Sequence, residues 1–113
     1  MTHVDGLEIS FETIDQAEAL RLSNDLEADL QDSSQVSISR KKERTDSQDF
    51  GSTLVLVFGT PVAIALAKAV TTFLQRHSGA TIRISRQGEV IATNLNSRDA
   101  SRIAEAFAKR APK

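Results

Sequence analysis

Leu7, Ile9 and Phe11 alternate with Glu8, Ser10 and Glu12, the period of two that marks a strand with one buried face, and predict a strand over about 6–12. Asp15, followed three places on by Glu18, matches a capping box. Ala19, Leu22, Leu26 and Leu30 then fall on one side of a helix over about 15–31. Asp32-Ser33-Ser34 interrupts that period. Val36 and Ile38, alternating with Ser37 and Ser39, predict a second strand that runs into a charged end from Arg40 to Arg44.

From Phe50 to Ala67 no residue carries a charge. Gly59-Thr60-Pro61 divides this run: proline suits the first position of a helix, threonine before it can cap, and glycine can close the preceding turn. A short segment over about 52–58, rich enough in β-formers to be strand or helix, therefore precedes a helix over about 61–77. Val62, Leu66, Ala69, Val70, Phe73 and His77 share one stripe of that helix, with Lys68, Thr71, Thr72 and Gln75 elsewhere. Its first turns, apolar nearly all round through Ile64, Ala65 and Ala67, are expected to be enclosed.

Ile82 and Ile84, a turn at Gln87-Gly88 and the stretch from Glu89 to Thr93 predict a hairpin. Asn96 or Ser97 is expected to cap a last helix with Ala100, Ile103, Ala104 and Phe107 inward and Glu105 facing Lys109. The order β-α-β-α-β-β-α predicts one α+β domain over 1–113, roughly four strands packed by three helices. Residues 1–5 are expected to form a flexible tail and 45–50 a mobile connector.

With 113 residues, one modest core fits and a second domain does not. The chain has no cysteine, which removes disulfides, thiolate zinc sites and cysteine nucleophiles. The residues from Met1 to Glu8 lack the basic-then-apolar pattern of a secretory signal, so a cytoplasmic protein is expected. A formal net charge of −1 argues against phosphate-driven binding, and aromatic content of 4%, all phenylalanine, argues against base-stacking platforms.

Candidate chemistry is sparse. The two histidines are His3, in the expected tail, and His77, expected to meet the last carbonyls of its helix. The pairs Glu8/Glu12 and Asp25/Asp29 read as solvated surface, no serine sits in a Gly-x-Ser-x-Gly elbow, and the spacing from Gly59 to Lys68 does not fit a phosphate loop. No catalytic residue, metal or cofactor is therefore expected. Arg40, Lys41, Lys42 and Arg44, with Arg83 and Arg86 on another strand, read either as a protected sheet edge or as a contact strip for phosphates or an acidic partner. As an unbroken helix the uncharged run would span roughly 27 Å, just short of a bilayer core, and the Gly-Thr-Pro break favours a buried hairpin.

The stretch from Gly51 to His77, followed by Thr81-Ile82-Arg83-Ile84-Ser85 and Gly88-Glu89-Val90-Ile91-Ala92-Thr93, resembles the effector-associated constant component family of small bacterial proteins over nearly the whole chain. Phe73-Leu74 stands where a Trp-Leu pair is expected in that family. The resemblance implies a non-enzymatic adaptor or scaffold, encoded beside proteases or caspase-like effectors in bacterial conflict systems, that couples a sensor to an effector by protein-protein association. It supplies no catalytic residue. A protein partner encoded nearby is expected, and self-association would serve the same role. Leu54, Leu56, Phe58 and Ile64 are the apolar residues assigned to partner contact. The alternatives are a small nucleic-acid-binding module using the basic strand 40–44 and a membrane-associated subunit using 50–67.

Overall fold

The computed structural model describes residues 6–12, 15–31, 36–40, 53–77, 79–86 and 89–108. The chain runs β1 (Leu7–Phe11), α1 (Gln16–Gln31), β2 (Val36–Arg40), β3 (Leu54–Phe58), a 3-10 turn (Thr60–Val62), α2 (Ala63–Arg76), β4 (Ile82–Arg86), β5 (Glu89–Leu95) and α3 (Ala100–Ala108). The α+β class holds, with five strands rather than four and the order β-α-β-β-α-β-β-α. The added strand is β3, which resolves the ambiguous 52–58 segment. The expected tail at 1–5 and connector at 45–50 lie outside the described residues.

The sheet order is β2-β3-β1-β4-β5 and every pairing is antiparallel. Because β1 and β2 both run against β3, they are parallel to each other. α1 crosses between them over the strand they share. In the same way β3 and β4 flank β1, and α2 makes that second crossing. Leu7, Ile9 and Phe11 point to the helices, and the register carries Leu54, Leu56, Ile82 and Ile84 to the same face. One core results, with Leu26, Leu66, Val70 and Phe73 fully buried over those strands.

Local chemistry fixes the ends of the helices. Asp15 Oδ1 accepts from the Ala17 and Glu18 amides at 3.1 and 3.4 Å, while the Glu18 carboxylate takes Arg21 at 2.7 Å. α2 starts later than expected. Val62 is its N-cap without a side-chain bond, and the Val62 amide donates to the Gly59 carbonyl at 3.1 Å, so Pro61 lies within a 3-10 turn. At the far end of α2 the His77 amide donates to the Phe73 and Leu74 carbonyls, but its ring stacks on Phe73 with centroids 4.1 Å apart. Packing therefore holds the imidazole, where carbonyl contact had been expected. Gly79, at φ +93°, turns the chain toward β4.

Asp99 precedes α3, and its carbonyl accepts from the Ile103 amide at 2.9 Å; Asn96 Oδ1 instead takes the Arg98 amide at 2.8 Å. The expected Asn96 or Ser97 cap is thus shifted to Asp99, and Ala100 is exposed rather than inward. Among the described residues no helix is long and apolar enough to cross a membrane. The described part of the uncharged run, from residue 53, is divided between β3, the turn and the first turns of α2.

Candidate functional site

Along α2, Leu66, Val70, Phe73 and Leu74 face the core. The opposite stripe, Ile64, Lys68, Thr72 and Gln75, recurs every three or four residues and stays on the surface. α3 lies beside α2 and offers Ala100 and Ala104 toward it, side chains too small to fill the space between the helices. A groove of about 470 Å³ results, floored by Ala67 and Thr71, with Ile64 at its mouth. Thr71, expected off the apolar stripe, is buried there, and its hydroxyl donates to the Ala67 carbonyl at 2.9 Å. That local bond satisfies the hydroxyl and leaves its methyl group for the groove floor.

Ile64 is 59% exposed, so the expected enclosure of the first turns of α2 fails at this residue and at Ala65. Covering the part of the Ile64 side chain that remains exposed would be worth about 1–2 kcal/mol. The other apolar residues assigned to partner contact are placed differently. Leu54 and Leu56 have no exposed surface, because their alternation with Val55 and Val57 points them at the helices. Phe58 is half-buried against α3, where it stacks on Phe107. Of the four, Ile64 alone is exposed.

The described members of the basic strip, Arg40, Arg83 and Arg86, do not come together. Arg40 shares the inward parity of Val36 and Ile38, and its guanidinium donates to Glu27 Oε1 from Nε (3.1 Å) and Nη2 (2.6 Å). It also donates to Ser23 Oγ at 3.1 Å and Asn24 Oδ1 at 2.6 Å. These bonds tie β2 to α1. Arg83 alternates with Ile82 and Ile84 and so lies on the other face of the sheet, across β3 and β1 from Arg40. Arg86 is half-buried, opposite Leu7 on the helix side. Lys41, Lys42 and Arg44 lie outside the described residues.

A second cavity, about 340 Å³, brings Glu12, Glu18 and His77 around Phe11 and Leu22. These groups come from three separated parts of the chain, so no local spacing announces them. Each is already engaged: Glu12 Oε1 accepts from the Asn94 amide at 2.7 Å, Glu18 pairs with Arg21, and His77 stacks on Phe73. The Glu18 carboxylate raises the pKa of Arg21 by hydrogen bonding first and by charge second. Among the described residues no group of three His, Asp or Glu side chains is arranged to hold a metal. Asp25 is exposed, and Asp29 forms an ion pair with Arg76 at the end of α2. No family model, curated protein or solved structure matches this chain.

Proposed function

We propose that this chain is a non-enzymatic adaptor that couples a sensor to a protease-like effector in a bacterial conflict or signalling system, by taking an amphipathic helix of its partner into the α2–α3 groove. The observation that carries this reading is Ile64, more than half exposed at the mouth of a groove whose floor is built from alanine and threonine. Small side chains let a third helix approach closely, and an apolar anchor beside a polar rim is the pattern of helix-in-groove recognition. Lys68 on that rim favours an acidic residue flanking the apolar stripe of the incoming helix. The link to conflict systems rests on the resemblance of the segment Gly51–His77 and the hairpin that follows.

The alternative use of the basic strand for nucleic acid loses support from Arg40, whose guanidinium is engaged by α1. The test is co-purification with the protein encoded by the adjacent gene. Ile64→Asp should abolish it while circular dichroism remains that of the folded chain; retention of the complex by Ile64→Asp would refute the groove as the contact.

A further inference from the structure

We draw no further inference here: the strongest candidate, the cavity that Glu12, Glu18 and His77 line beside Phe11 and Leu22, rests on two carboxylates already engaged by the Asn94 amide and by Arg21, and nothing among the described residues points to what it would hold.

Discussion

Phe58 at the end of β3 stacks on Phe107 of α3, with ring centroids 5.6 Å apart and planes inclined by 27°. The contact joins the uncharged central segment to the last helix and draws Phe58 inward from the partner surface assigned to it. Phe107 is 2% exposed, so its removal empties core volume. Phe107→Ala should cost about 3–5 kcal/mol, read from the urea midpoint. Phe58→Leu, which stays apolar but loses the stack at a half-buried site, should cost less, about 1 kcal/mol.

Leu56 provides the contrast with Ile64. Leu56→Ala should destabilise by about 2–5 kcal/mol, since a fully buried side chain on an inner strand leaves a cavity, and Leu56→Asp should not fold. A folded, soluble Leu56→Asp protein would contradict the placement of β3.

Arg40 should behave as a structural residue. Arg40→Ala removes the bonds to Glu27, Ser23 and Asn24, and should lower stability by about 1–2 kcal/mol in chemical denaturation. Arg40→Lys should recover only part of this, because one ammonium cannot reproduce the fork of donors. The pair is partly exposed, at 26% and 27%, so high salt should reduce the difference between wild type and Arg40→Ala.

Gly6 abuts Val55: a Cβ at Gly6 would lie 2.8 Å from Val55 Cγ1. Gly6→Ala should therefore destabilise by about 1–2 kcal/mol, and Val55→Ala in the same chain should relieve most of that penalty. Additive losses in the double variant would show that the two positions are not in contact.

The elements with clean periods were legible in the sequence. Alternation at Leu7, Ile9 and Phe11 gave β1, four-residue spacing from Leu22 to Leu30 gave α1, and the hairpin from Ile82 followed the same logic. β3 was ambiguous because Val55 and Val57, on the face away from the helices, are as apolar as Leu54 and Leu56 on the inner one, so alternation of burial left no alternation of polarity. Arg40 reads as the charged end of an edge strand, and β2 is an outer strand of the sheet. Its parity with Val36 and Ile38 adds what charge alone did not say, that its side chain lies on the helix side. The groove was hidden because Thr71 counts as polar in a pattern, yet its hydroxyl is satisfied within α2 and the residue is buried. Glu12, Glu18 and His77 share a cavity through the fold alone.

The most direct measurement of the adaptor reading is calorimetric titration of the full chain, as wild type and as Ile64→Asp, with the purified product of the adjacent gene. Saturable binding by wild type and at least tenfold weaker binding by a folded Ile64→Asp variant is the predicted result; equal affinity for the two, or no binding by wild type, would contradict it.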